Sequence, residues 1–453
     1  MQSVNPFTGE VIKNYSEYTS EEVNTIISQV DKAFQQWKLT SFEQRAKLMK
    51  NLKSLLIERK NELAGIMVAE MGKVLREAVG EIEKCALVCA FYADNAASFL
   101  KNEIIKTEAS ESYISYQPIG TVLAVMPWNF PFWQIFRFLA PALMAGNTGV
   151  LKHASNVPGC ALAIEQVVRE AGFPENVFRT LLIGSAKVNE VIENPLIKAV
   201  TLTGSTPAGK SVASKAGSML KKSVLELGGS DPYLILEDAD INTAARLCVT
   251  SRLLNAGQSC IGAKRFIVSD KIYDAFEAEF VKLMRQATYG DPLDPQTTIG
   301  PLARPDLRDE LHQQVDQSRK MGATVLLGGF IPEGKAAFYP PTVLTNVVPG
   351  MPAYHEELFG PVAVLFRFKT EEEAIRIAND TLFGLGAAVF TADVKKAKFL
   401  AEQGLEAGCV YVNDFVKSDP RLPFGGIRES GYGRELSAVG IREFVNIKTI
   451  VVK

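Results

Sequence analysis

From about Gly120 onward the chain alternates short apolar runs with helix-like segments, and that alternation admits few folds. Thr121 to Met126, Gly149 to Leu151, Thr180 to Ile183 and Ala199 to Thr203 read as strands. A second series follows Glu226, with Tyr233 to Leu236, Phe266 to Val268, Val362 to Phe368, Ala387 to Phe390 and Cys409 to Val412. Continuously apolar strands separated by helices predict sheets covered on both faces, hence two doubly wound parallel-sheet α/β domains. The first hundred residues carry helical periodicity instead, with Thr40…Glu43 and Ser41…Gln44 both able to form a capping box before Leu48, Leu52, Leu55 and Leu56. Tyr113 to Tyr116 and Asn446 to Lys453 read as strands without a partner nearby in sequence, and we expect them to pair in a small β arm used for oligomerisation.

Composition narrows the function classes. A chain of 453 residues, 47% hydrophobic and 22% charged, is large enough for two or three domains with real cores. Its net charge of -2 supplies no basic field for polyanions, so no nucleic-acid partner is expected. The N-terminus shows no charged region followed by an apolar run, which predicts a cytoplasmic protein. Val122 to Ala145 is the most apolar stretch, but Pro127, Pro131, Pro141, Asn129 and Arg137 interrupt it; it reads as buried polypeptide around a site, not a membrane span. His153, His312 and His355 are widely scattered, and Cys85 and Cys89 lack partners at ligand spacing, so no metal is expected.

Among the six cysteines, Cys260 stands apart because it follows Asn255-Ala256-Gly257-Gln258-Ser259, small and polar. A thiolate is both nucleophile and leaving group, so one such residue can carry a covalent cycle. Cys85, Cys89, Cys160, Cys248 and Cys409 sit among aliphatic residues, where free cysteine behaves as a small buried hydrophobe.

Five further segments could carry chemistry. Gly204 to Ser211 matches the phosphate-loop pattern G-x-x-x-x-G-K-[ST] after a strand and before a helix. It admits two readings: a nucleotide hydrolase, or a turn whose backbone N–H groups meet a dinucleotide pyrophosphate. The fingerprint G-x-G-x-x-G is absent, so spacing does not support a standard Rossmann binder. Trp128-Asn129-Phe130-Pro131 sets an amide among bulky apolar neighbours, where it could donate to a developing oxyanion. Leu225-Glu226-Leu227-Gly228-Gly229 places a carboxylate in an apolar, glycine-closed turn that would raise its pKa toward the range of a general base. Glu357-Leu358-Phe359-Gly360-Pro361 pairs an acid with an aromatic ring on a tight turn, and Pro423-Phe424-Gly425-Gly426 with Ser430 to Glu435 adds a glycine-rich loop ending in an acid. Singly, each reads as structural.

Together and in this order, these segments resemble the NAD(P)-dependent aldehyde dehydrogenase superfamily over nearly the whole chain, and within it the bacterial succinate-semialdehyde dehydrogenases. The resemblance implies a cofactor domain of residues 1–100 and 120–229, a catalytic domain of 230–435 and an oligomerisation arm of 101–119 and 436–453 in a homodimer or homotetramer. It implies Cys260 as nucleophile, Asn129 with the Cys260 N–H as oxyanion hole, Glu226 as general base and Glu435 as a proton relay. For NAD or NADP it implies Lys152 and Glu357 at ribose hydroxyls, Phe359 and Trp128 beside the nicotinamide end, and Ser205 with Gly204 at the pyrophosphate.

Relatives restricted to NAD often carry glutamate three residues after that lysine; Ser155 here leaves NADP admissible. His153 and Pro207 replace a usual proline and glutamate. Arg137 and Ser418 match carboxylate-binding residues of the succinate-semialdehyde relatives, implying a carboxylated aldehyde as substrate, while Leu254 replaces their second arginine. The bland alternative for Arg137 is a helix cap or a pair with an acid. The resemblance thus implies oxidation of an aldehyde, with succinic semialdehyde first among candidates and neutral aliphatic or aromatic aldehydes as the alternative.

Overall fold

A computed structural model describes residues 1–453 and contains two large sheets. In the first, the strands run Gly431–Tyr432, Lys222–Glu226, Ile197–Thr203, Thr121–Met126, Thr148–His153 and Phe178–Thr180, side by side in that order. Four of its five pairings are parallel, and Gly431–Tyr432 joins the edge antiparallel. In the second sheet the order is Thr324–Leu327, Thr342–Thr345, Val362–Phe368, Arg265–Ser269, Pro232–Ile235, Gly386–Phe390 and Cys409–Val412, again parallel apart from the edge strand Thr324–Leu327. The central strands Thr148–His153, Arg265–Ser269 and Gly386–Phe390 are buried along their whole length, as expected of sheets covered on both faces. Two expectations shift in detail. The strand read at Thr180 to Ile183 lies at Phe178–Thr180, and Gly431–Tyr432 has already returned to the first sheet before residue 435.

The N-terminal helices start where side chains take up free N–H groups. Thr19 and Glu22 form a capping box for Ser20–Trp37, and Ser41 with Gln44, not Thr40 with Glu43, does so for Phe42–Glu58. These helices support the helix Trp133–Met144, in which every residue is buried. Its two ends are matched by charges of opposite sign. Glu81 accepts from the Phe132 and Trp133 N–H groups at 2.8 and 2.9 Å, and Arg45 donates to the Met144 carbonyl at 3.0 Å while the Trp37 indole donates to Leu143. That placement complements the helix dipole and satisfies groups that water cannot reach. Glu81 is itself neutralised by an ion pair to buried Lys73.

Val445–Val452 pairs antiparallel with Glu111–Pro118 in a three-stranded sheet that also holds Glu103–Ile104, with Ile447 opposite Tyr116 and Ile450 opposite Tyr113. A hairpin of Gln2–Val4 and Val11–Asn14 was not legible in the sequence. No helix is long and apolar enough to cross a membrane.

Candidate active site

Parallel strands end together, and here that geometry gathers the site. Met126 lies beside His153, Val125 beside Leu202, and Thr203 beside Glu226. Their following residues, Trp128 and Asn129, Gly204 and Ser205, and the turn after Glu226, therefore open onto one crevice at the carboxyl edge of the first sheet. The crevice is a cleft of about 630 Å³ between the two large sheets. It is lined by Trp128, Asn129, Gly204, Ser205, Glu357 and Phe359 together with Cys260, seven residues singled out from sequence. The Trp128 and Phe359 rings meet edge to face with centroids 5.8 Å apart.

Cys260 is carried by an unusual backbone. Asn255, Ala256 and Gly257 all have positive φ, at 55°, 54° and 75°. Such a run is costly for residues bearing a Cβ. Gly257 has no substitute, because a Cβ there would stand 2.2 Å from the Gly360 carbonyl oxygen. The loop is held by donors: Asn255 Nδ2 binds the Asn129 and Gln258 carbonyls at 2.7 and 3.0 Å, and the Asn255 N–H reaches Glu77 at 3.0 Å. Lys264 Nζ donates to the carbonyls of Ser259, Cys260 and Gly262 at 3.0, 2.9 and 3.1 Å and approaches Glu357 at 3.5 Å.

Asn129 is fixed from both sides of its amide. Gln134 Nε2 donates to Asn129 Oδ1 at 3.0 Å, which turns Nδ2 toward the Cys260 loop, where one of its hydrogens meets the Gln258 carbonyl at 3.0 Å. An amide NH₂ has two donors, so the second stays available to an oxyanion. His153 locks the same segment: its Nδ1 lies 2.9 Å from the Ala154 N–H and 3.2 Å from the Met126 carbonyl, and its Nε2 lies 3.0 Å from the Pro131 carbonyl. Burial pushes its pKa down to about 4.

Behind the cleft lies a buried charge cluster. Arg137 Nε meets Glu435 at 2.7 Å, its Nη2 approaches Thr203 Oγ1 at 3.4 Å, and its guanidinium lies over the Phe424 ring. Burial, then the Glu435 charge, pushes the Glu226 pKa well up, with Arg137 and Arg434 pulling the other way. Neither Glu226 oxygen has a hydrogen-bond partner. Gly425 makes room for this carboxyl, since a Cβ there would stand 2.7 Å from Glu226 Oε1. Burial also pushes the Cys260 thiol up to about 12, opposed chiefly by the positive charge of Arg137. Burial thus favours the protonated form of both groups, so nucleophilic attack must be coupled to loss of the thiol proton, and Glu226 accepts a proton only in its carboxylate form.

Other expected residues stand elsewhere. Lys152 is buried near the end of Thr148–His153 and Ser155 is exposed just past it; neither lines the cleft. Ser418 lies off the cleft, accepting hydrogen bonds from Lys84 Nζ at 2.8 Å and Trp133 Nε1 at 3.1 Å. Cys85, Cys89, Cys160 and Cys248 are buried as expected, whereas Cys409 is partly exposed.

The phosphate-loop match does not survive as a hydrolase. The helix Thr206–Ser218 begins inside the motif, so Thr206 to Ser211 are helical and cannot wrap a phosphate, and Lys210 extends to Glu429 at 2.7 Å on the surface. What remains is a helix N-terminus capped by Ser205, whose hydroxyl makes no capping bond within its own helix. That arrangement suits a pyrophosphate.

A profile of the aldehyde dehydrogenase family matches residues 1–450. The chain belongs to the aldehyde dehydrogenase family. A probable succinate-semialdehyde dehydrogenase [NADP(+)] from Synechocystis is 49% identical over 448 residues, covering 99% of this chain and 98% of that protein. The succinate-semialdehyde dehydrogenase [NADP(+)] 1 of Mycobacterium tuberculosis is 48% identical over 452 residues, with the same coverage. The succinic semialdehyde dehydrogenase of Streptococcus pyogenes, solved with NADP+, superposes with a TM-score of 0.97 at 38% identity and covers 100% of this chain and 99% of that one. Aldehyde oxidation with a nicotinamide cofactor is the chemistry of this aldehyde dehydrogenase, and the α/β architecture with two parallel sheets is the one its solved relatives share.

Sequence reasoning missed the residues that hold the site together. Gln134, Lys264, Glu77 and Lys84 carry no motif of their own, and only the three-dimensional neighbourhood reveals them, while Asn255 and Gln258 stood out in the sequence only as small polar neighbours of Cys260.

Proposed function

We propose that this enzyme oxidises succinic semialdehyde to succinate with NADP. The observation that carries the reading is the convergence of Cys260 and Asn129 on one cleft with the buried Glu226 carboxyl behind it. The Cys260 thiol gives its proton to Glu226 in its carboxylate form, which relays it onward through Glu435, as the sulfur adds to the aldehyde carbon; the thiohemiacetal oxygen charge is met by Asn129 Nδ2 and the Cys260 N–H. The nicotinamide, when bound, accepts the hydride that leaves this carbon. The resulting thioester is hydrolysed by water that gives its proton to Glu226, and the thiol is regenerated as succinate leaves. Glu435, fixed by Arg137, passes that proton onward.

The cofactor residues fit the group. The Ser205 hydroxyl and the helix N-terminus would receive the pyrophosphate, Glu357 a ribose hydroxyl, and Phe359 with Trp128 would pack at the nicotinamide end. A serine, not an acid, at 155 leaves a 2′-phosphate unopposed, in keeping with the NADP(+) named for the relatives. Arg137 and Ser418 support a carboxylated substrate, although Arg137 is already paired to Glu435, which favours a shared role for this arginine.

The arm supports assembly of two or more copies. Val445–Val452 is an edge strand that exposes Ile447, Val451 and Val452. Six unpaired cysteines suit a reducing cytoplasm. The test is kinetic: formation of reduced cofactor with succinic semialdehyde and with butanal, each with NAD and NADP, alongside Cys260→Ala. Preference for NADP and succinic semialdehyde, abolished by Cys260→Ala, is expected. Equal use of butanal would overturn the substrate, and turnover by Cys260→Ala the mechanism.

A further inference from the structure

Buried Lys73 and Lys264 have acids to neutralise them, whereas the half-buried Lys84 near the site does not. Lys73 meets Glu81 and Lys264 meets Glu357. Lys84, half-buried on the helix Leu75–Phe99, has no carboxylate within ion-pair distance; its only hydrogen-bond partner is the neutral hydroxyl of Ser418 at 2.8 Å. The nearest acid in the adjoining loop, Asp419, is held by both nitrogens of the Arg421 fork. A desolvated cation without a counter-charge is costly, and its cost is recovered when an anion arrives.

The surroundings fit a carboxylate. Ser418 Oγ accepts from Lys84 Nζ and Trp133 Nε1, which leaves its own hydrogen to donate. Lys84 keeps two further N–H donors and lies 4.3 Å from the centroid of the Trp133 ring. Trp133 stands one helical turn before Arg137, so both project from one face of the buried helix Trp133–Met144. Arg137 in turn is close enough for its charge to act on both Lys84 and Cys260.

We infer that Lys84, with Ser418, binds the distal carboxylate of the substrate and supplies the second cation that Leu254 does not. The inference rests on the carboxylated substrate proposed above and names a specificity-determining residue within it. Arg137, tied to Glu435, then orders the far wall of the site while Lys84 meets the substrate charge directly.

The charge on Lys84 is itself sensitive to pH. Burial, then the facing Arg137, pulls its pKa down to about 8, opposed by Cys85 and Glu81 on and beside its own helix and by Asp419 in the loop. As pH rises through about 8 the ammonium loses its proton, so binding of a carboxylated aldehyde should weaken there while that of a neutral aldehyde should not.

The experiment measures KM and kcat for succinic semialdehyde and butanal in the wild type, Lys84→Met and Lys84→Arg. Lys84→Met should raise KM for succinic semialdehyde by about tenfold or more with a much smaller change for butanal, and Lys84→Arg should restore most of the loss. In the wild type, KM for succinic semialdehyde should climb above pH 8, and in Lys84→Arg that climb should vanish because guanidinium stays charged. If the wild type prefers succinic semialdehyde and Lys84→Met keeps the preference, the role of Lys84 is overturned while the substrate stands. If the wild type treats both aldehydes alike, the substrate reading falls and Lys84 with it. Should Lys84→Met fail to fold, a climb retained in Lys84→Arg overturns the inference.

Discussion

The Lys264 ammonium lies 2.9 Å from the carbonyl oxygen of Cys260, inside a cage closed by the Ser259 and Gly262 carbonyls. It thereby ties the backbone of the proposed nucleophile to Glu357, 3.5 Å away. Lys264→Met should lower kcat by about a hundredfold, the scale of a small misplacement of reacting groups, with a lesser effect on aldehyde KM. Lys264→Arg should not rescue it, because a planar fork does not fit three convergent carbonyls. Steady-state kinetics on folded protein would show this, and an unimpaired kcat in Lys264→Met would mean the loop keeps its shape unaided.

Removing Arg137 should act through protons. Glu435 would lose its ion-pair partner and Glu226 the cation that opposes burial, so both carboxyls should hold protons to higher pH. The acid limb of kcat against pH should therefore move upward in Arg137→Met by about one pH unit or more. A change in KM for succinic semialdehyde with an unmoved pH profile would instead assign Arg137 to the substrate alone.

His153 predicts a window of acid sensitivity. Its folded pKa of about 4 lies below the value near 6.5 of an exposed histidine, so the unfolded chain binds the extra proton first. The stability it contributes is present above pH 6.5 and is lost as pH falls toward 4. The wild type should lose roughly 3 kcal/mol more than His153→Gln across that interval. Urea unfolding of both proteins at stepped pH checks the difference, and parallel curves would contradict a buried neutral imidazole.

Two glycines should respond oppositely to alanine. At Gly257 the added Cβ would meet the Gly360 carbonyl at 2.2 Å, and Gly257→Ala should abolish activity or soluble expression. Gly65, inside the helix Lys60–Met71 with nothing within 4 Å, should gain about 0.5–1 kcal/mol on the same change. Melting and activity measurements on the two variants separate these outcomes.

Much of this architecture was legible because parallel sheets write themselves as apolar runs: Thr121–Met126 and Val362–Phe368 appear at the bounds the sequence suggests. Edge strands were less so. Thr324–Leu327 and Gly431–Tyr432 are short, half-exposed and antiparallel, and carry little hydrophobic signal. The chemical groups were legible only through family resemblance, since Glu226 or Asn129 alone is an ordinary acid or amide. Their supports were not legible at all. Gln134 and Lys264 act through geometry that joins residues distant in sequence, and Glu435 could not be seen to engage Arg137 until the loop bearing it was folded back.

That fold-back has a consequence for how the molecule is cut and assembled. The chain leaves the first sheet at Glu226, builds the whole second sheet, and comes home as Gly431–Tyr432 against the strand it left, with Gly431 opposite Glu226. The polypeptide thus closes a loop around the proposed catalytic base. Neither half is a detachable module: a fragment ending before residue 431 would expose the flank of Glu226 to water, and the second sheet excised alone would lack the strand that seals the route. During synthesis Glu226 would be walled in only when the final segment of the chain emerges, so the buried surroundings proposed for the base are among the last features this protein acquires.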